Sequence, residues 1–547
     1  MKRLIAGGLI FLLVAVGVVI LWERDSEALL PGQIAPSECL IYFELPKIDR
    51  TVKRWPDTAL SQMLEEPSVQ QFLRKPISKI PANWQAAGRA FAELRCGALF
   101  FGMTETRNDR WICGFQAGAD DSAVQREIAN LSRALFGLST KQMRPEDLGQ
   151  SPGGTGPDPG QPYCTKVGSW TLLSRSIDLL KEAVRNSNAR STGLQSQNLY
   201  RRCRASVPSD YDALTFVQGE PSYDLLTGFH WRYPESGTAG EIRAVLATTT
   251  IEGARLRDTV FTLAAPPATT RPLDRQGLSM TSASTIGYMA SHVGLSEVWR
   301  WCGRFAGESA LAELIRDYMG EAKSFGIEPE DLDKLVSAVE IIVDRDSAPD
   351  SFSAAFSLQV IDPGKFQHLM DQVVAEKFSD NCSMREIAAI PAYSIHVNKY
   401  ASIVFGLVDR HLLVSGSESK FSELANRLRT HASGLESDYQ FKSVSKLVKD
   451  PDELFLYIDT KSFFERVYEA SRSMLALGLE MMPITARYVD GMALPETREI
   501  SKHLSPIVLS RRRVSDGVVD ESIGPITAYD GAALVAGGAL AMDFLAR

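Results

Sequence analysis

Leu172-Leu173-Ser174-Arg175-Ser176 and Leu413-Val414-Ser415-Gly416-Ser417 lie 241 residues apart, and the same shift lays Gly193-Leu194-Gln195-Ser196 over Gly434-Leu435-Glu436-Ser437. About seven of twenty-five positions match without a gap, where chance gives roughly one or two, so the chain reads as a duplication. After a slip of one residue, Asp210, Asp212 and Leu214 fall on Asp450, Asp452 and Leu454. In each copy a strand ends at the serines and a helix of about four turns follows. Gly193 or Gly434 is expected to end that helix in a left-handed conformation, with Ser196 or Ser437 capping the next one. Such a helix-helix corner needs no ligand.

Working outward, the first unit reads as strand Leu40–Leu45, a helix around Ala59–Arg74, a hairpin Gly97–Ala117, helix Ser122–Phe136, a Gly/Pro-rich loop Gly149–Gln161, strands within Tyr163–Ser174, the corner, and strand Ala213–Val217. The second repeats that order: strand Thr285–Ala290, helix Ser309–Lys323, hairpin Val339–Val360, helix Pro363–Glu376, strands within Tyr393–Ser415, the corner, and strand Leu454–Ile458. A ribbon follows each unit, Gly240–Leu263 in the first and two strands flanking Asp516-Gly517 in the second. Hairpins and short turns dominate the connections. The expected fold class is α+β: an N-terminal transmembrane helix, then two tandem, duplicated α+β units with mainly antiparallel sheets. The boundaries are 1–27 for a membrane anchor, 34–270 and 275–527 for the two units, and 528–547 for a small-residue apolar helix.

The anchor reading rests on Lys2 and Arg3, the apolar run Leu4 to Trp22, and the charged cluster Glu23, Arg24, Asp25, Glu27. Nineteen helical residues reach roughly 28 Å, close to the thickness of a bilayer's hydrocarbon core. The positive flank holds the N-terminus in the cytoplasm, which places the bulk of the chain in a bacterial periplasm, attached to the inner membrane. A cleaved signal peptide is the competing reading, with Ser26-Glu27-Ala28 as the nearest small-x-small triplet. At the other end, Gly531–Met542 is too short to span a bilayer and is expected to pack on the ectodomain.

A net charge of −8, from 67 acids and 59 bases, argues against nucleic acid as a partner. Arg511-Arg512-Arg513 is expected to be a solvated rim on an edge strand. Seven cysteines without a Cys-x-x-Cys give no disulfide framework, and Cys96 and Cys113 are expected out of register on a hairpin. Ser417-x-x-Lys420, Ser443-x-x-Lys446, Ser379-Asp380-Asn381 and Lys166-Val167-Gly168 echo penicillin-recognising enzymes, but they appear in reversed order across both repeats. The glycines of Gly153–Gly160 lack the lysine of a phosphate loop, and the seven histidines are isolated. These patterns assign no catalytic residue, cofactor or metal. The acids Glu328, Glu330, Asp331 and Asp333 read as a helix start. One patch keeps a contact reading: His230, Trp231, Arg232 and Tyr233, with Trp299 and Trp301 in the other half, as rings that stack on a glycan or anchor a protein.

Trp55-Pro56-Asp57-Thr58-Ala59-Leu60, continuing through Leu64, Pro67, Val69 and Phe72, resembles a family of exported bacterial envelope proteins of unknown function. The tail Ile500-Ser501-Lys502-His503-Leu504-Ser505-Pro506-Ile507, with Gly524-Pro525-Ile526, is similar to it as well. The resemblance implies an N-terminal anchor and a duplicated α+β ectodomain, and carries over no catalytic residues. The functional expectation is a single-pass envelope protein that binds or scaffolds, toward an envelope protein or the cell wall. The alternative is a periplasmic hydrolase with its site between the two repeats.

Overall fold

The computed structural model describes residues 29–105, 110–117, 121–150, 160–189, 192–219, 242–264, 273–292, 334–346, 352–378, 382–398, 401–481 and 489–527. The first half supplies strands β1 (Ile41–Leu45), β2 (Cys96–Glu105), β3 (Arg110–Ala117), β4 (Lys141–Gln142), β5 (Tyr163–Val167), β6 (Trp170–Ser174), β7 (Ala213–Gln218), β8 (Ala244–Glu252) and β9 (Arg255–Leu263). The second supplies β10 (Thr285–Ser291), β11 (Val336–Arg345), β12 (Phe352–Val360), β13 (Cys382–Ile387), β14 (Ile390–Asn398), β15 (Ala401–Val408), β16 (His411–Ser415), β17 (Leu454–Ile458), β18 (Ile507–Val514) and β19 (Gly517–Gly524). Helices of the first half are α1 (Ile48–Arg54), α2 (Ala59–Glu65), α3 (Pro67–Ser78), α4 (Ala82–Glu93), α5 (Asp121–Phe136), α6 (Pro145–Gln150), α7 (Ile177–Ala189) and α8 (Asn198–Ala205). Those of the second are α9 (Pro363–Lys377), α10 (Glu418–Arg429), α11 (Tyr439–Ser445), α12 (Thr460–Met481) and α13 (Thr497–Ser501).

Two separate sheets are not what forms. All nineteen strands of the described residues belong to one sheet. Its order is β4-β5-β6-β3-β2-β1-β7-β8-β9 followed directly by β19-β18-β17-β10-β11-β12-β16-β15-β14-β13. Read outward from the β9–β19 junction, the two sides carry the same connectivity for eight strands each. Only β4–β5, among these pairings, is parallel. The cause of the fusion is an edge problem: each half ends in a long strand whose free N–H and C=O groups need a partner, and the two ends satisfy each other. The ladder runs from Gly517 opposite Leu263 to Gly524 opposite Leu256. Gly517 permits it, since a Cβ there would stand 2.0 Å from the Thr262 carbonyl oxygen.

The expected transmembrane helix is also corrected: no helix among the described residues is long and apolar enough to cross a membrane. Leu4–Trp22 and Gly531–Met542 both lie outside the described residues. The 22-residue α12 is long, but Lys461, Glu465, Arg466, Glu469, Arg472 and Glu480 make it amphipathic.

Packing follows the alternation of the strands. In β11 burial alternates residue by residue from Val336 to Asp344. One face of the first half packs Tyr42, Phe100, Trp170, Phe216 and Phe261 with Leu179 and Leu180 of α7. Its other face packs Leu99, Phe115 and Leu173 against Val52 of α1, Ala87 of α4, and Val124 and Ile128 of α5. The second half buries Tyr288, Ile342, Phe455 and Tyr457 with Phe421 of α10 and Phe441 of α11. A smaller cluster joins Val360, Tyr393 and Leu412 to Met370 of α9.

The repeated corner forms for a different reason from the one expected. Gly193 has φ −64° and Gly434 φ −114°, neither of them left-handed. Each glycine instead lets another backbone segment come close: a Cβ would lie 2.4 Å from the Gln33 carbonyl oxygen at Gly193 and 2.4 Å from that of Thr281 at Gly434. Leu194 N–H donates to Ala35 O at 3.0 Å, and Leu435 N–H donates to Thr281 Oγ1 at 2.8 Å. Asn186, one register shift before Arg427, donates to the carbonyls of Ile34 and Ala35, while Arg427 donates to those of Met280 and Thr281. Each corner therefore clamps the segment leading into the first strand of its half. The serines do not cap; Ser196 and Ser437 hydroxyls donate to the carbonyls of Gly193 and Gly434.

Candidate functional site

Each half holds one carboxylate against tyrosine inside its core. Tyr42 sits on β1 and Tyr288 on the equivalent β10. In the first half Glu44, two residues along the same face of β1, accepts hydrogen bonds from the hydroxyls of Tyr42 and Tyr211. In the second half Ala290 takes the Glu44 position, and the acid sits directly across the ladder on β11 as Glu340. Phe100 occupies that cross-strand place in the first half. The acid and its apolar neighbour have exchanged strands while the tyrosine has stayed.

Glu340 Oε1 accepts from Tyr288 Oη at 2.7 Å and from Gly277 N–H at 2.8 Å. Gly277 has no side chain because a Cβ would sit 2.3 Å from the carboxylate. His411 Nδ1 stands 4.0 Å from Glu340 Oε2 and 3.0 Å from Ser357 Oγ, and its Nε2 lies 3.1 Å from Gln276 Oε1. Burial pushes the Glu340 carboxyl up to about 7, against the hydrogen bonds from Tyr288 and Gly277 that favour its charged form. Burial pushes His411 down from its ordinary value, against the nearby charges of Asp274 and Asp409. In the first half burial likewise raises Glu44 while the two phenols oppose the shift. Both acids are enclosed, Glu44 at 3% exposure and Glu340 at 1%, so their tyrosine shells are core networks with no opening to a substrate. Tyr211→Phe should leave one carboxylate oxygen of Glu44 unbonded and cost about 1–2 kcal/mol. Urea denaturation should show a larger loss at pH 8 than at pH 5, because the ionised form needs the donor more.

The remaining motifs also have local structural roles. Ser417 caps α10 by accepting from Lys420 N–H at 3.2 Å, and Lys420 Nζ pairs with buried Asp344 at 2.7 Å and with Glu423 at 2.9 Å. Burial opposes the lysine's charge, but these acids outweigh it and raise its pKa. The arginine run is no edge rim: β18 lies between β17 and β19. Arg511 pairs with Asp520 at 2.7 Å, Arg512 with Glu521 at 3.0 Å and Arg513 with Glu453 at 3.0 Å. Asp212 and Asp452, matched in the sequence comparison, both receive a main-chain N–H from the next strand, from Ile251 and Arg513, each at 2.8 Å. Cys96 stands opposite Ala117, four residues past Cys113, and burial pushes both thiols up to about 12.

The predicted contact residues His230, Trp231, Arg232, Tyr233, Trp299 and Trp301 lie outside the described residues, as do Ser379-Asp380-Asn381 and Gly153–Pro159. A cavity of about 320 Å³ with a mixed lining opens between α5 and the β5–β6 hairpin, beside Arg126, Ile128, Thr140, Cys164 and Lys166. The most distinctive surface is on α12, which buries none of its residues. One side of the helix is held down: Tyr468 Oη donates to Pro495 O at 2.8 Å, Arg472 to Leu494 O at 2.9 Å, and Glu480 accepts from Gly491 N–H at 2.9 Å. The opposite side, about 180° from Arg472 at 100° per residue, carries Phe463, Val467, Ala470, Met474, Leu477 and Met481. Val467 is 39% exposed, Leu477 61%, Met474 72% and Met481 72%. The reading of the sequence missed this stripe, although alternating four- and three-residue apolar spacing is visible in residues 463–481.

No family model and no curated protein matches the chain. Two crystal forms of TP0453 are partly similar to it. Form III aligns at 12% identity and a TM-score of 0.25 over 47% of this chain and 80% of that one. Form I aligns at 13% and 0.23 over 45% and 75%. At such TM-scores the likeness carries no argument about fold or function.

Proposed function

We propose that the chain works by binding or scaffolding in the cell envelope, with the outer side of α12 as the surface that engages a partner. The observation that carries this reading is the unbroken apolar stripe Phe463–Met481 on a helix pinned along its opposite side. A stable protein keeps such a stripe out of water unless a partner covers it. Envelope placement rests on Lys2, Arg3 and the apolar residues 4–22 as an export signal. The hydrolase alternative needed a cleft between the repeats, and the β9–β19 ladder occupies the line where the two sheet halves meet.

A photo-crosslinking amino acid at Met474, in the full chain expressed in its own cells, tests the reading. The same residue at Tyr439, 85% exposed on α11, serves as the control. A discrete adduct from position 474 and none from 439 is the expected result. No adduct at 474, or equal yields at both positions, would overturn it.

A further inference from the structure

We propose that the partner covering the α12 stripe is α12 of a second copy of this chain, packed antiparallel across a two-fold axis. This rests on the reading of α12 as the binding surface and names its occupant.

The stripe is self-complementary. Its intervals, 4-3-4-3-4 from Phe463 to Met481, read the same in both directions. An antiparallel copy therefore meets it layer for layer: Phe463 on Met481, Val467 on Leu477, Ala470 on Met474. In each layer a larger side chain faces a smaller or more pliable one, as close packing of two helices requires. A parallel pair would set Ala470 on Ala470 and leave a gap beside Phe463 stacked on Phe463. Charge agrees with the antiparallel choice. Arg466 borders the stripe near one end, and Glu480, whose carboxylate also accepts from Gly491 N–H, lies on the same flank toward the held side near the other. Reversal of one helix brings each arginine within reach of the other copy's glutamate, whereas a parallel pair sets Arg466 beside Ser471. The Arg466 guanidinium also donates through Nη1 to Asp346 O at 3.1 Å, which holds the charged head beside the stripe.

The ends are fixed for such a contact. Phe463 stacks on Phe352 with ring centroids 5.7 Å apart, and the 489–495 segment holds the far end through Glu480. The helix presents a rigid ridge about 33 Å long. A two-fold pairing uses the same patch on both copies and closes, so it gives a dimer and not a filament.

The test uses the full chain with Val467→Cys and Leu477→Cys together and singly, oxidised mildly and run on non-reducing gels beside the wild type. In the antiparallel register positions 467 and 477 of different copies face each other, so the double variant should become a covalent dimer. Within one chain these positions are about 15 Å apart along the helix, too far for an internal disulfide. Each single variant should stay uncross-linked, because like positions are separated by the same distance. Cross-linking of the single variants, or none in the double variant, overturns the proposal. Sedimentation of the wild type should show a dimer at micromolar concentration, and Met474→Glu, at an exposed position, a monomer with unchanged circular dichroism. A monomeric wild type whose position-474 adduct has the mass of a different protein overturns the second-copy proposal and leaves the binding reading standing. A monomer without any adduct overturns both.

Discussion

Gly434→Ala is expected to destabilise the chain by about 3 kcal/mol or more, enough to move the unfolding midpoint of the second half clearly downward. The added Cβ would lie 2.2 Å from Thr281 Oγ1, 2.4 Å from Thr281 O and 2.6 Å from Leu278 O. Two of these are backbone atoms fixed by their own bonds, and the third is the hydroxyl that accepts from Leu435 N–H. The corner cannot open without also releasing Arg427 from the carbonyls of Met280 and Thr281. Gly193→Ala should act in the same way on the first half, through Gln33. Gly416→Ala is the matched control, since nothing lies within 4 Å of its added carbon. It should change stability by less than about 0.5 kcal/mol. Denaturant unfolding of the three variants checks the account; equal effects at 416 and 434 would contradict it.

Glu340→Gln is expected to stabilise the protein at pH 8 and to change little at pH 5. The sign follows from the raised carboxyl of the folded state, at about 7 against an ordinary 4.5. Between those values the folded form binds a proton that the unfolded form has released, so stability from this group is complete below 4.5 and is lost as pH rises through 7. Glutamine removes that loss, and at pH 8 the gain should be on the order of 2–3 kcal/mol. Its carbonyl can keep the bonds from Tyr288 and Gly277. Its amide replaces Oε2, the oxygen without a hydrogen-bond partner, on the side of Ser357 and His411. His411 works in the opposite direction: its lowered pKa means stability is lost as pH falls below 6.5. Between pH 5 and 7 the two groups therefore oppose each other, so the wild type should change less on acidification than the variant, which keeps only the His411 loss. Thermal unfolding between pH 5 and 8 measures this. A wild type and variant that track each other across that range would contradict the buried-acid reading.

Local features were readable from residue types, whereas partner choice was not. The alternation around Asp516-Gly517 locates a hairpin, and the turn falls one residue earlier, at Ser515-Asp516, because Gly517 is already paired to Leu263 of the other half. That pairing joins residues about 250 positions apart in sequence, and no local pattern encodes which edge meets which. The same limit explains Arg511–Arg513. The residues look like an edge, yet β17 and β19 enclose their strand, and Asp520 and Glu521 of β19 with Glu453, just before β17, neutralise them. Gly193 and Gly434 were visible as necessary glycines, but the necessity comes from a segment about 155 residues away, not from their own dihedral angles. Glu340 was available to reasoning, since alternation through Val336, Ala338, Ile342 and Asp344 puts it on the buried phase. The α12 stripe was equally available once its spacing was counted along residues 463–481.

Hydrogen exchange across the β9–β19 junction tests the single-sheet architecture most directly. The amides of Leu256–Leu263 and Val518–Gly524 that bond across the junction should exchange as slowly as those of the central strands β7 and β17. Exchange there as fast as along the outermost strand β13 would mean that the two halves carry separate sheets.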